Sequence, residues 1–256
     1  MAGACGRMGR RILELAAAAD DIAIGAALDR PEFAGMHLAA GAETVSVEAD
    51  PAAACAKAEV LIDFTLADAC LRHAAAAVEA GIPAVIGTTG LDAAQTDELR
   101  RLAAHRAIVY APNMSAGVNL LFKLTREAAA ILGLDYNVEI VEIHHNLKKD
   151  SPSGTAKRLA ECAAEALGLQ YASDVAHGRE GLIGERPVRE IGMHAVRGGD
   201  VVGEHTVAFI GCGERIELTH KAHNRDNFAR GALMAARFAV AAAPGLYDMQ
   251  DVLGLR

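Results

Sequence analysis

Two imidazoles, two ammonium groups and a Ser-Gly-Thr turn are packed into one short run, Glu142-Ile-His144-His145-Asn-Leu-Lys148-Lys-Asp150-Ser-Pro152-Ser153-Gly154-Thr155-Ala. His144 is suited to proton transfer, because the unperturbed pKa of an imidazole lies near physiological pH. The Lys148 ammonium can stabilise a carboxylate or give up a proton. Ser153 is placed to cap a helix ahead of Gly154 and Thr155. The first amides of a helix have no intrahelical partner, and with the hydroxyls of Ser153 and Thr155 they form a seat for a carboxylate or phosphate. The expected substrate is therefore an anion. Each part also has a plainer reading, since a strand-end histidine often serves structure alone and a Ser-Gly-Thr start often only caps. Their concurrence in one loop favours catalysis. A metal site is not expected, because adjacent histidines splay apart and no Cys or carboxylate stands nearby at zinc spacing.

These groups need a frame. Residues 137–143 alternate Val138 and Ile140, then Val141 and Ile143, with Glu139 and Glu142, which reads as a strand with at least one buried face. Consecutive side chains of a strand face opposite ways, so His144 and His145 serve one site only if the backbone turns there. Pro152 favours such an irregular loop and biases Ser151 away from helix. An alanine-rich helix over residues 155–167 follows.

At the other end of the chain, Gly3-Ala4-Cys5-Gly6-Arg7-Met8-Gly9 is a G-x-x-G-x-x-G turn running into a helical stretch over residues 10–19. Glycines let backbone approach a pyrophosphate, and the helix N-terminus supplies the partial positive charge that holds it. A strand over residues 22–28 ends in Asp29, 20 residues past Gly9 and placed to hydrogen-bond a ribose diol. Only Met1 and Ala2 precede Gly3, so the apolar strand that normally leads into such a turn is expected to be truncated, or its start recorded late. Alternation continues with strands at 59–64, 83–86 and 107–110 and helices at 67–80 and 92–105. This pattern predicts a Rossmann-like, doubly wound parallel sheet with ligands at the strands' carboxyl ends. Gly87, Thr88 and Thr89, and Ala111, Pro112, Asn113 and Met114, stand at such ends and are expected to line the nicotinamide side of a cofactor.

Residues 115–132 read as a helix leaving that domain. Beyond the central run, the alternating segments 191–196, 204–210 and 215–220 are joined by Gly-rich links, which predicts antiparallel hairpins. The expected organisation is a dinucleotide-binding domain at 1–115 and 223–256, and an α+β domain with a mixed open sheet at 116–222 for substrate binding and oligomerisation. A last helix spans 224–242, and the apolar tail over 246–253 should pack. A broad sheet often buries one face against a sister subunit, so a homo-oligomer is expected.

Composition narrows the class. The 256 residues are 52% hydrophobic and 23% charged, ordinary for a globular enzyme, and the net charge of -8 without a dense basic tract argues against nucleic acid. Five scattered cysteines without a CxxC pair suit a reducing cytosol. Arg7, Arg10 and Arg11 interrupt the N-terminus before a signal-peptide core forms, and the alanine runs are too short to span a membrane.

Six motifs, taken together, resemble one family: Gly-Ala-x-Gly-Arg-Met-Gly at the start, Gly87-Thr-Thr-Gly90, Ala-x-Asn113-Met-Ser, the central run from His144 to Thr155, Val196-Arg197-x-Gly199-Asp200-x-Val-Gly-Glu-His205-Thr, and Glu214-Arg-Ile-Glu-Leu-Thr-His220-Lys-Ala. The chain resembles the 4-hydroxy-tetrahydrodipicolinate (dihydrodipicolinate) reductases over essentially its whole length. That resemblance implies a cytoplasmic enzyme of lysine and diaminopimelate biosynthesis that reduces a cyclic imine dicarboxylate with NADH or NADPH, typically as a homotetramer built through the second domain's sheet. It implies His144 as proton donor or acid/base and Lys148 as second proton donor. It assigns the substrate carboxylates to His145, Lys148, Ser153, Gly154 and Thr155. It assigns the cofactor to Gly3, Ala4, Cys5, Gly6, Arg7, Met8, Asp29, Arg30, Gly87, Thr88, Thr89, Ala111, Pro112, Asn113 and Met114. Ser151 replaces a usual alanine and Cys5 a small residue, neither touching the mechanism.

The residues themselves agree with that chemistry, since hydride delivery to a conjugated imine needs a positioned acid. Asp29 favours the diol of NADH, while Arg30 and Arg7 can offset its repulsion of a 2′-phosphate. Dual use with an NADH bias is expected. Another dinucleotide dehydrogenase of amino-acid metabolism would explain the glycines and Asp29 but not the central run. A non-catalytic dinucleotide sensor would need no lysine and histidine beside an anion seat.

Overall fold

A computed structural model describes residues 1–256. Backbone contacts divide the chain into two compact units, Met1–Ala116 with Asp226–Arg256, and Gly117–Arg225. The first unit begins with α1 (Arg7–Ala17), β1 (Ala27–Leu28), β2 (His37–Ala40), β3 (Glu43–Glu48), α2 (Pro51–Cys55), β4 (Leu61–Asp63), α3 (Ala67–Glu79), β5 (Ala84–Ile86), α4 (Ala93–Ala103) and β6 (Ala107–Tyr110). β4, β5 and β6 are parallel neighbours, and every residue from Leu61 to Asp63 and from Ala84 to Ile86 is buried. Strands covered by helices on both faces are nearly continuously apolar, which is why these segments, apart from the terminal Asp63 of β4, read as runs rather than alternations. Local signals fix the helix ends: Asp92 and Gln95 form a reciprocal capping box at the start of α4.

The strand expected over residues 22–28 shrinks to Ala27–Leu28. Its neighbour on one side is only Ala2, which bridges Leu28 and Asp63 in parallel, while the Met1 ammonium donates to the Ala26 carbonyl. A two-residue partner cannot support a seven-residue ladder, and a small gap lined by Met1, Ala26, Leu28, Val60 and Leu61 lies beside it. The antiparallel pair β2–β3, with β3 parallel to β1, was not foreseen. Its hydrophobic signal is weak, with only Leu38 and Val47 buried.

In the second unit α5 (Ala116–Leu132) precedes β7 (Asn137–His144), α6 (Gly154–Leu167), α7 (Tyr171–Asp174), β8 (Val175–His177), β9 (Ile191–Arg197), β10 (Gly203–Ile210) and β11 (Arg215–Ala222). The sheet is mixed, in the order β11-β10-β7-β9-β8. β10 and β11 form the expected hairpin, but β9 and β10 do not. β7 lies between them, parallel to β9 and antiparallel to β10. The correction has a physical reason: β7 is the strand whose alternate residues Val138 and Ile140 are fully apolar and buried, so it takes the central position. These two join Leu159, Ala160, Ala163, Met193, Val207, Phe209, Leu121 and Phe122 in one core between the sheet and its helices. Each of the larger side chains among them contributes roughly 1.5–3 kcal/mol of burial.

The chain returns to the first unit with α8 (Asp226–Ala241), β12 (Gly245–Tyr247) and α9 (Met249–Val252). β12 extends the parallel sheet beside β6, so the apolar tail becomes a strand. No helix is long and apolar enough to cross a membrane.

Candidate active site

The buried face of β7 carries Val138, Ile140, Glu142 and His144 in succession. The first two build the core; the last two begin the site. Glu142 is fully buried, and its carboxylate accepts four hydrogen bonds: from His144 Nδ1 at 2.5 Å, from the Ser153 amide at 3.0 Å, and from both terminal nitrogens of Arg197 at 2.8 Å each. Burial alone would raise its pKa, but the bonds from His144, Arg197 and Ser153 outweigh it and hold the carboxyl down to about 2. An ionised Glu142 accepts the hydrogen bond of His144 Nδ1–H, which leaves Nε2 facing away from it for proton transfer. Nε2 makes no hydrogen bond within the protein and lies against the backbone of Gly203, where a Cβ would approach to 3.0 Å.

Beyond His144 the chain leaves the sheet. The His145 amide donates to the Val201 carbonyl at 2.7 Å and that of Asn146 to Gly199, so the loop after β9 holds the turn. His145 is half-buried, with Nδ1 enclosed and unpaired, and its ring makes no hydrogen bond to the Glu142 cluster. Lys148 reaches Asp150 at 2.9 Å, and the Asp150 carbonyl accepts from Arg197, which ties the lysine's partner to the same arginine that holds Glu142. The Ser151–Pro152 peptide is cis. Ser153 is the N-cap of α6, accepting from the Ala156 amide at 3.1 Å, and its Oγ lies 3.0 Å from His205 Nε2. A Cβ on Gly154 would meet nothing within 4 Å, so the first turn of α6 opens onto free space. His144 and His205 meet edge to face at 5.1 Å between ring centroids.

In the first unit, Gly3 adopts φ +77°, and a Cβ there would lie 2.5 Å from the Phe64 carbonyl. One on Gly9 would lie 2.1 Å from the Gly3 carbonyl, so only glycine lets α1 rest on the turn. Gly6 caps α1, whose first turn, starting at Arg7 and Met8, carries no acidic side chain. Asp29 turns back onto this loop: Oδ2 accepts from the Cys5 amide at 2.7 Å and Oδ1 from its neighbour Arg30 at 2.9 Å. The Arg30 guanidinium pairs with Glu32 at 2.9 Å and lies over the Phe33 ring. At the end of β5, a Cβ on Gly87 would enter the Phe64 ring, and buried Thr88 donates to Asp63 Oδ1 at 2.7 Å. Thr89 is exposed. After β6, the Ala111 amide donates to the Ile86 carbonyl, Asn113 Oδ1 accepts from the Ser115 amide, Met114 is buried and Pro112 is exposed. A glycine cradle at a helix N-terminus, a carboxylate at the next strand end and two further strand-end loops fit a dinucleotide.

Comparison with known proteins decides the class. The family model described as Dihydrodipicolinate reductase, N-terminus, matches residues 1–114, and its C-terminus counterpart matches residues 117–253. The chain belongs to the dihydrodipicolinate reductase family. Relatives named 4-hydroxy-tetrahydrodipicolinate reductase are 51% identical, from Anaeromyxobacter sp. over 99% of this chain and 96% of theirs, and from Citrifermentans bemidjiense over 99% and 97%. A solved dipicolinate-bound dihydrodipicolinate reductase from Paenisporosarcina sp. TG-14 superposes with a TM-score of 0.80 at 26% identity, covering 98% of this chain and 96% of its own.

Within this dihydrodipicolinate reductase fold, several functional side chains escape a reading of motifs alone. Glu142 sits two residues before His144 on the same face as Val138 and Ile140, so a carboxylate at a core position was the available signal. Arg197 and His205 arrive from β9 and β10, and only the register Ile143↔Val196, His144↔Arg197 and His205↔Glu142 brings them in. Asp63 and His73 were also missed. They pair at 2.6 Å, both buried, and Asp63 anchors Thr65 and Thr88 beneath the Gly87 turn.

Proposed function

We propose that this chain reduces 4-hydroxy-tetrahydrodipicolinate to tetrahydrodipicolinate with NADH or NADPH in lysine and diaminopimelate biosynthesis, the 4-hydroxyl leaving as water. The observation that carries this reading is the Glu142 carboxylate, which holds the proton-transfer histidine through Oε2 and the Ser153 amide of the anion seat through Oε1. The reduced nicotinamide, when bound, supplies the hydride. Residues 1–115 and 223–256 form the dinucleotide-binding domain. There Gly3, Ala4, Cys5, Gly6, Arg7 and Met8 take the pyrophosphate, Asp29 and Arg30 the adenosine ribose, and Gly87, Thr88, Thr89 and Ala111 to Met114 the nicotinamide side. Residues 116–222 bind substrate and assemble the oligomer.

The substrate is a dicarboxylate, so its recognition is electrostatic. Ser153, Gly154 and Thr155 at the start of α6 take one carboxylate, where the helix dipole and the first amides favour negative charge. Lys148 exchanges Asp150 for a substrate carboxylate and acts as second proton donor; His145 adds a further donor. His144 gives its Nε2 proton to the reduced substrate, and the ionised Glu142 stabilises the cationic ring beforehand. Arg197 balances Glu142, so the carboxylate remains ionised without drawing the proton to itself.

The enzyme is proposed to be cytoplasmic and homotetrameric. The outer face of the five-stranded sheet supports assembly, since Val141 and Val196 are exposed there. The function is tested by NADH oxidation with substrate generated from pyruvate and aspartate semialdehyde by a coupling synthase. Consumption that depends on the generated substrate is expected, and NADH binding without consumption would favour the sensor reading instead.

A further inference from the structure

His205 is buried, 4% exposed, on the central face of β10 and has no role in the chemistry above. Its Nε2 lies 3.0 Å from Ser153 Oγ, and its Nδ1 is enclosed with no partner. The Ser153 oxygen already accepts from the Ala156 amide. A hydroxyl has two lone pairs and one proton, so only two arrangements are open. In one, the Ser153 proton goes to His205 Nε2; the imidazole then carries its own proton on Nδ1, and a buried N–H is orphaned. In the other, His205 Nε2–H donates to Oγ, and Nδ1 keeps only an unpaired lone pair. Orphaned buried N–H groups are rarer than under-satisfied acceptors, so the second arrangement is favoured. Both lone pairs of Oγ are then filled from within the protein.

We propose that His205 is a positioning residue: by donating to Ser153 Oγ it leaves the Ser153 proton to point at the ligand, so the hydroxyl acts only as a donor and selects a carboxylate. This deepens the carboxylate-seat reading and rests on it. The assignment requires His205 to stay neutral while the enzyme works. The groups facing it are Glu142 and His144 of β7, His220 directly across on β11, Ser153 at the start of α6 and Lys148 of the loop. Burial lowers the His205 pKa to about 3, reinforced by His144, so a neutral ring is maintained.

The test has two parts. Long-range 1H–15N correlation of the imidazoles in the full-length protein reads the tautomer. Nε2–H on His205, unchanged from about pH 8 to about pH 5.5, is expected, and an Nδ1–H tautomer overturns the proposal. Binding of dipicolinate to the NADH-loaded protein is then compared across His205→Leu, His205→Gln, Ser153→Ala and the double variant His205→Leu with Ser153→Ala. Loss of an oriented donor to a charged group should weaken dipicolinate roughly 10-fold in His205→Leu, raising substrate KM much more than it lowers kcat. His205→Gln, whose amide nitrogen stands near the position of Nε2, should recover most of the loss. In the Ser153→Ala background the leucine should add almost nothing. If Ser153→Ala binds dipicolinate as tightly as the parent, the carboxylate-seat reading itself fails. If Ser153→Ala is weakened but the two losses simply add, only the role of His205 is overturned.

Discussion

In the proposed mechanism Glu142 joins acid/base chemistry to anion binding through one side chain. Its four hydrogen bonds come from the working histidine, the cap of α6 and the arginine of β9, so its removal should disturb proton transfer and substrate seating together. Glu142→Gln keeps the shape but cannot stabilise a cationic His144, and one amide NH2 would face the Arg197 guanidinium. A fall in kcat of about 10- to 100-fold is expected, with the alkaline limb of the pH–rate profile, where the protonated donor is lost, displaced to lower pH. A profile of unchanged shape would leave Glu142 a merely structural group. His144→Gln should lower turnover by roughly 100-fold or more while NADH affinity stays near normal, and steady-state kinetics with fluorescence titration of NADH checks both halves. The same residues set the acid stability. Glu142, held at about 2 against roughly 4.3 unfolded, contributes stability that is complete above the unfolded value and lost as pH falls towards 2. His205, held at about 3 against roughly 6.5 unfolded, also has a depressed folded pKa, so its penalty begins as pH falls through the unfolded value and grows towards 3. Stability should therefore decline already between about pH 6.5 and about pH 5, above the carboxylate range, and His205→Gln should flatten that slope in urea titrations. An equally steep slope in the variant would assign the loss to other groups.

At the scale of elements, glycine separates close packing from open space. A Cβ on Gly231 of α8 would lie 1.8 Å from the Met114 carbonyl, so the helix can approach the loop after β6 only at that residue. Gly231→Ala should cost about 1–3 kcal/mol by overpacking and raise the KM for NADH, because the displaced loop carries Asn113 and Met114. Gly154→Ala has open space around its Cβ and should leave thermal stability unchanged or slightly higher, yet raise the KM for substrate by entering the ligand's space. Equal effects on melting temperature would contradict this contrast. The parallel strands and helices of the first unit were legible because apolar runs bounded by Gly, Pro and Asp signal them locally, as at 83–86 and at Asp92. The central run of the candidate site was legible as a cluster because its residues are contiguous. What escaped depends on pairing over long sequence separations. The central place of β7 sets apart two strands that adjoin in sequence, and it alone brings Arg197 and His205 to Glu142. The β2–β3 pair escaped because few of its residues are buried, and Asp63 with His73 because a strand-end carboxylate and a helix histidine announce no partnership.

At the scale of the whole molecule, the proposed assembly depends on the five-stranded sheet of the second unit. Its inner face is filled by α5 and α6, but on the outer face Val141 and Val196 are exposed, while Glu139 is held among Arg179, Arg186 and His194. Burial would raise the Glu139 pKa, but the hydrogen bonds from Arg179, His194 and Arg186 hold it down to about 2, so the patch keeps its charges fixed beside the apolar residues. One face of a mixed sheet can face water, yet an apolar pair flanked by a fixed ion cluster is a composition that suits the proposed interface between copies of one chain. The same strand carries Glu142 and His144 inward and Val141 outward, so β7 would be stiffened from outside by assembly and used from inside by catalysis. Light scattering should give a tetrameric mass. Val141→Glu places a charge in the middle of the outer row, opposite Thr206 and His194 in register, and should shift the mass towards smaller species. If assembly stiffens β7, that variant should also lose kcat at protein concentrations where it dissociates, and regain it as concentration rises. Dissociation with kcat intact would show that one subunit's sheet is rigid enough alone, and a monomeric parent would remove the assembly from the mechanism altogether.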